Sequence, residues 1–171
     1  MLNINLDKIT DLDFKTKEAY KTLRTNVQFC GNDVKIISLT SCVPNEGKSM
    51  VSFNLAISMA ETGKKVLFID ADLRKSVLIG RYKINKAIKG LTQYLSGVEQ
   101  LDDVRYSTNV KNMDLILSGP VPPNPAELLN NEKFTELLET ARKEYDYVII
   151  DTPPIGQVID PAIVAQQTDG V

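Results

Sequence analysis

The sequence contains no histidine. That excludes histidine-based catalytic triads, histidine–metal sites and the H-R-D catalytic loop of eukaryote-type kinases. Its two cysteines, Cys30 and Cys42, make no disulfide framework and read as reduced thiols. No apolar run approaches a membrane span, and the first twenty residues are too polar for a signal peptide. A cytoplasmic chain is therefore expected. The net charge of −2 gives no global field favouring nucleic acid or an acidic membrane, so no nucleic-acid partner is expected. No repeat or low-complexity segment is visible. What remains is 171 residues with 43% hydrophobic and 25% charged content, ordinary for one soluble domain with a sizeable core.

The chain is organised around residues 35–50. Residues 35–40 are mostly apolar and rich in β-branched side chains, with no breaker, and predict a buried strand. Residues 41–47 supply the turn formers Ser, Pro, Asn and Gly. From Lys48 onward Val51, Leu55 and Met59, with Ala56 and Ala60, recur at helical spacing. A strand, a tight loop ending Gly47-Lys48-Ser49 and a helix make the phosphate-binding P-loop arrangement. The bland alternative is a chance Gly-Lys-Ser in a surface loop. The chemistry explains the residue types. A nucleoside triphosphate tail is anionic, and a helix N-terminus offers unpaired N–H groups and the positive end of the dipole. Gly47 lets the backbone approach the phosphates, Lys48 places a charge on the β/γ oxygens, and Ser49 offers a hydroxyl to magnesium. The expected nucleotide set is Pro44, Asn45, Glu46, Gly47, Lys48, Ser49 and Met50. Two departures stand out: Cys42 occupies the first glycine position of the pattern, and Asn45 sits where positive φ is comfortable.

Elsewhere the sequence predicts an α/β fold, a P-loop NTPase-like parallel sheet with helices on both faces. Residues 66–69 read as a second buried strand, whose end carries Asp70, Asp72 and Arg74. Ligands of open parallel sheets bind at strand carboxyl ends, so this trio is expected to face Lys48; the alternative is charges pointing to solvent. Residues 147–151 form a strand ending in Asp151, a Walker B pattern expected beside the P-loop strand, with the carboxylate reaching magnesium through water. Residues 113–118 predict another strand, residues 119–125 a proline-rigid loop, and residues 88–95, 126–129, 132–143 and 160–166 helices. Residues 168–171 are expected to enter one more strand, leaving the sheet truncated at its C-terminal side. The remainder of 75–112 carries little pattern.

Residues 1–13 are a polar lead-in, and residues 14–30 predict an amphipathic helix. Ala19, Tyr20, Leu23, Val27 and Cys30 share its apolar side, and Lys17, Glu18, Lys21 and Arg24 its polar side. That polar side is a solvated face or an interface. One domain is expected over 1–171, with 1–33 an oligomerisation segment and 34–171 the nucleotide-binding core, incomplete at its C-terminus. Tyr20, Tyr94, Tyr145 and Tyr147 are expected within or beside packed elements, and Tyr82 and Tyr106 in loops where they would be the accessible acceptors.

Ser41-x-x-Pro44-x-Glu46-Gly47-Lys48-Ser49, Ile69-Asp70-Ala71-Asp72-Leu73-Arg74 and Val148-Ile149-Ile150-Asp151-Thr152-Pro153-Pro154 resemble, in this order, the Walker A, A′ and B motifs of the bacterial tyrosine kinases that regulate exopolysaccharide and capsule synthesis. Residues 90–97 and 118–129 also resemble family segments, so the likeness covers the chain from about residue 15. Glu18, Lys21 and Arg24 resemble the family's E-x-x-R-x-x-R motif for ring-shaped self-association, with Lys21 at its middle position. Lys cannot make the planar bidentate contact of Arg. The resemblance implies an ATP- and Mg2+-dependent, autophosphorylating protein-tyrosine kinase. Lys48 and the loop would hold ATP. Ser49, Asp151 and Asp72 would serve the magnesium. Asp70 and Asp72 would meet the tyrosine hydroxyl, and Arg74 would stabilise γ-phosphate charge or an interface. It also implies a membrane activator of the polysaccharide co-polymerase kind, which would recruit the chain to the inner membrane face, and a cognate tyrosine phosphatase. The family's tyrosine-rich tail is not in the sequence, so a fragment is expected. Two rival readings remain. One is an ATPase switch of the partitioning and cell-division type, whose early loop lysine is Val43 here. The other is a nucleotide-binding regulatory module without transfer activity.

Overall fold

In the computed structural model, residues 2–6, 12–82, 84 and 88–171 are described. A strand β1 (Leu2–Ile4) precedes helix α1 (Phe14–Phe29), which Asp13 caps by accepting the Thr16 N–H at 3.0 Å. Strand β2 (Ile36–Leu39), helix α2 (Lys48–Ala60) and strand β3 (Val66–Asp70) follow. Short helices α3 (Leu78–Arg81), α4 (Leu91–Leu95) and α5 (Leu101–Val104) lead to strands β4 (Arg105–Thr108) and β5 (Met113–Ile116). Helices α6 (Pro125–Leu129) and α7 (Glu132–Glu144), strand β6 (Tyr147–Asp151) and helix α8 (Asp160–Ala165) complete the described elements.

The six strands form one sheet in the order β1-β4-β5-β3-β6-β2, parallel except for the β4–β5 pair. β6 lies between β2 and β3, as the Walker B pattern predicts. Successive strand residues point to opposite faces. Leu67 and Ile69 join Val148, Ile150 and the apolar sides of α4, α6, α7 and α8 in one core. Val66 and Phe68 join Ile149, Phe53 and Met59 of α2, and Leu78 and Tyr82 in the other. The chain is thus the expected α/β fold with helices on both faces. α7 shows the local rules plainly. Asn131 caps it by accepting the Phe134 N–H, Glu132 lies in its first turn, and Arg142 and Lys143 lie in its last, each favourable with the helix dipole.

Several expectations change. The lead-in contains β1, with Ile4 and Leu6 buried, although residues 1 and 7–11 lie outside the described residues. β4 was not legible in residues 75–112, of which 83 and 85–87 also lie outside. The helix expected over 88–95 begins only at Leu91, because Gly90 is packed against Gly119. Around residue 170 the expected strand amounts to one parallel bridge, Ile37 with Gly170. In α1, Leu23 and Val27 do pack on the core, but Ala19 and Cys30 are exposed. Arg24 is not on the outward face: its guanidinium donates to the Ser58 carbonyl at 2.8 Å and hydroxyl at 3.2 Å, strapping α1 to α2. α1 covers the outer side of α2, where polar Asn54 and Ser58 meet Tyr20 and Arg24, whereas Ser52 is buried on the sheet side. The two tyrosines expected in loops are buried. Tyr82 closes α3 with its ring 4.5 Å from Phe53, and burial pushes its phenol up to about 12. Tyr106 lies within β4 and donates to the Lys89 carbonyl at 3.0 Å.

Candidate active site

β2, β3 and β6 end level with one another: Leu39 pairs with Asp151, and Asp151 with Asp70. Their carboxyl ends are stitched by Thr152, whose hydroxyl donates to the Leu39 carbonyl at 2.8 Å, and by Thr40, which donates to Pro153 at 2.9 Å. Above them opens a cleft of about 270 Å³. Its walls include the P-loop residues Pro44 to Met50, together with Asp72 and Arg74 from the β3 side.

The P-loop conformation follows from its residues. Gly47 (φ 84°) and Asn45 (φ 66°) occupy the left-handed region, Asn45 as its residue type predicts. Cys42 has no positive φ, so the missing glycine is tolerated there. Glu46 braces the loop from within: its Oε2 accepts the Cys42 and Val43 N–H groups at 3.0 and 3.2 Å. The sequence placed Glu46 in the nucleotide set but gave no sign of this brace. A second brace comes from the segment after β6, where Ile155 and Gly156 donate to the Ser41 and Cys42 carbonyls at 2.9 and 3.2 Å. A Cβ on Gly156 would stand 2.3 Å from the Cys42 oxygen, so this approach requires glycine.

Lys48 donates to Asp151 Oδ1 at 2.6 Å and to the Ser49 hydroxyl at 3.1 Å. Ser52 adds a hydrogen bond to the same carboxylate oxygen at 3.0 Å. The predicted Lys48, Ser49 and Asp151 are therefore together, with Asp151 buried beneath the cleft lining. The two aspartates after β3 differ sharply. Asp70 is 1% exposed and does not line the cleft; its carboxylate accepts from the Ser76 hydroxyl and the Asp72 N–H. Burial raises its pKa to about 7 against the Ser76 hydrogen bond, with the Asp151 and Asp72 charges adding to the rise. Asp72 lines the cleft, and its Oδ1 accepts the Arg74 and Lys75 N–H groups at 3.2 and 2.9 Å. That turn fixes the carboxylate on the wall. Arg74 reaches the cleft held by a residue that sequence reasoning passed over. Asp160, fully buried at the start of α8, receives Nε and Nη2 of Arg74 at 2.8 and 2.9 Å. This fork raises the guanidinium pKa still further, keeping it charged. The only sequence signal was a carboxylate opening a helix ahead of Pro161.

The oxygen donors at hand are the Ser49 hydroxyl and Asp72 carboxylate on the cleft lining and the Asp151 carboxylate buried beneath it against Lys48, all hard oxygens. Such donors suit magnesium, which keeps several waters and takes one or two protein ligands alongside phosphate oxygens. The residues thus fit the metal. Among the described residues no helix is long and apolar enough to cross a membrane.

Comparison with known proteins agrees with this geometry. The family described as an AAA domain matches residues 34–168. The tyrosine-protein kinase CpsD of Streptococcus agalactiae is 49% identical over 156 residues, covering 91% of this chain and 68% of that protein. The kinase domain of Escherichia coli tyrosine kinase ETK superposes with a TM-score of 0.84 at 39% identity, over 89% of this chain and 60% of that one. The septum site-determining protein MinD of Pyrococcus horikoshii, in complex with Mg-ADP, is more distant, with a TM-score of 0.66 at 26% identity over 80% of this chain and 55% of that one. The P-loop cleft, its wall of Asp72 and Arg74 and these relatives converge: the chain belongs to the bacterial P-loop tyrosine-protein kinases.

Proposed function

We propose that this kinase moves the γ-phosphoryl group of magnesium-ATP to tyrosine hydroxyls of proteins that govern capsule and exopolysaccharide synthesis. The observation that carries the reading is the gathering of Lys48, Ser49, Asp72 and Arg74 in one cleft above Asp151. Lys48 and the amides at the start of α2 hold the phosphates. Ser49 and Asp151, with Asp72, are the residues that would hold magnesium, which when bound neutralises phosphate charge. Asp72 orients the incoming hydroxyl and accepts its proton as transfer completes. Arg74, fixed by Asp160, stabilises charge spread over the γ-phosphoryl oxygens. Asp70 supports this wall from below, through Ser76 and the Asp72 N–H. A free phenol has a pKa near 10, so a carboxylate is a weak base for it. Phosphoryl transfer is loose, and positioning with charge neutralisation supplies most of the effect. The test is incubation with ATP and a tyrosine-rich peptide. Phosphotyrosine should form with magnesium and stop when EDTA is added; formation undiminished by EDTA would remove the metal role, and none with magnesium would remove the reading.

The same proposal includes self-association through the outward side of α1, recruitment to the membrane by the cytoplasmic segment of an activator, and reversal by a tyrosine phosphatase. α1 has no fully buried residue, and Phe14 and Phe29 at its ends are 79% and 82% exposed. Glu18 and Lys21 pair at 2.7 Å on its surface. Glu18→Ala with Lys21→Ala should shift sedimentation towards monomer without changing stability by more than about 1 kcal/mol, since exposed pairs contribute little. Arg24 is a poorer probe because its loss also frees α1 from α2. Identical sedimentation of variant and wild type would contradict the assigned surface.

A further inference from the structure

The cleft lining also includes Lys75, Val77 and Arg81, from the turn that follows Arg74. The turn is built to present them. Leu78 and Tyr82 point inward, both almost fully buried, and Tyr82 packs on Phe53. The Arg81 N–H donates to the Val77 carbonyl at 3.0 Å, so Val77 and Arg81 stand one helical turn apart on a shared side. Val77, between the two cations in sequence, is 44% exposed and apolar. The other charges of the cleft are occupied. Lys48 is held by Asp151 and Arg74 by Asp160, while Glu46 and Asp72 accept backbone amides. Among the described residues Lys75 and Arg81 have no ion-pair partner. Two cations without an ion-pair partner therefore line a cleft of a chain whose net charge is −2. Residues 75–81 carry these two cations and no carboxylate, while Glu46 and Asp72 elsewhere on the lining are acidic, and a stretch of one sign attracts oppositely charged substrate.

We propose that Lys75, Val77 and Arg81 form the acceptor-side subsite, which selects tyrosines flanked by acidic residues. Val77 gives the phenol ring an apolar surface, and the two cations meet carboxylates on either side of it. This rests on the kinase reading above. The triphosphate of ATP does not require these cations, because Lys48 and the amides at the start of α2 already serve it.

The experiment compares three tyrosine-centred peptides of equal length, flanked by glutamate, by serine or by lysine. At low salt the wild type should favour the acidic over the serine peptide in kcat/KM by at least about tenfold, and added salt should shrink the gap. Lys75→Glu with Arg81→Glu should invert the order in favour of the lysine peptide and leave the KM for ATP within about twofold. Lys75→Gln with Arg81→Gln should flatten the preference, and serves if the charge-reversed chain fails to fold. Equal wild-type rates on the three peptides would overturn the subsite alone. So would a variant that loses all three alike while its KM for ATP rises, since the cations would then belong to the nucleotide. Phosphorylation of no peptide by wild type would remove the kinase reading and the subsite with it.

Discussion

Lys48→Met is expected to weaken magnesium-ATP binding by about 3 kcal/mol or more, roughly a hundredfold in Kd, because charge-assisted contacts to a multiply charged phosphate are lost. The same change acts on the fold. The Lys48 and Asp151 side chains are only 8% and 2% exposed, and their ion pair is 2.6 Å long. Removing one partner leaves a buried carboxylate with Ser52 alone, at a cost of about 3–5 kcal/mol. The two effects separate in the double variant Lys48→Met with Asp151→Asn. It should recover most of the stability in denaturant unfolding and none of the nucleotide affinity in calorimetry. Unchanged ATP affinity in a folded Lys48→Met chain would leave the P-loop assignment without support.

Asp72→Asn is expected to lower phosphoryl transfer by about 10²–10³-fold while leaving the Kd for ATP within about threefold. Asparagine keeps the oxygen that accepts the Arg74 and Lys75 N–H groups, so the turn survives and only the charge is lost. Alanine would remove both and confuse the result. Asp70 provides the contrast. It is buried beneath the wall and bonded to Ser76, so Asp70→Ala should act mainly through local unfolding of that wall. If Asp72→Asn kept full transfer while losing ATP affinity, its place would be with the nucleotide and not with the acceptor.

What the sequence revealed and what it concealed follow from range. α2, β3, β6 and α7 carry their pattern within a few residues, and the P-loop, Asp72 and Asp151 could be placed because strand ends of a parallel sheet converge. β1 has only three residues and is held by pairing with β4, about a hundred residues on, while β4, although it pairs locally with β5, reads Arg-Tyr-Ser-Thr and offers a single apolar side chain as signal. Arg24 read as surface because a helical wheel says nothing of Ser58, 34 residues on. The Arg74–Asp160 fork spans 86 residues and leaves no local trace. Tyr82 and Tyr106 looked accessible because their surroundings lack periodicity, yet each is anchored by a distant partner, Phe53 in one case and Lys89 in the other.

The fate of the γ-phosphoryl group decides between a kinase and a switch built on the same P-loop. The measurement is a single turnover with γ-labelled magnesium-ATP and an acidic tyrosine peptide, quenched and resolved into peptide-bound and inorganic phosphate. The account predicts that most of the label is recovered on the tyrosine hydroxyl, that little is released as phosphate, and that Asp72→Asn suppresses the transfer. Label recovered wholly as inorganic phosphate, at the same rate with and without peptide, would contradict it.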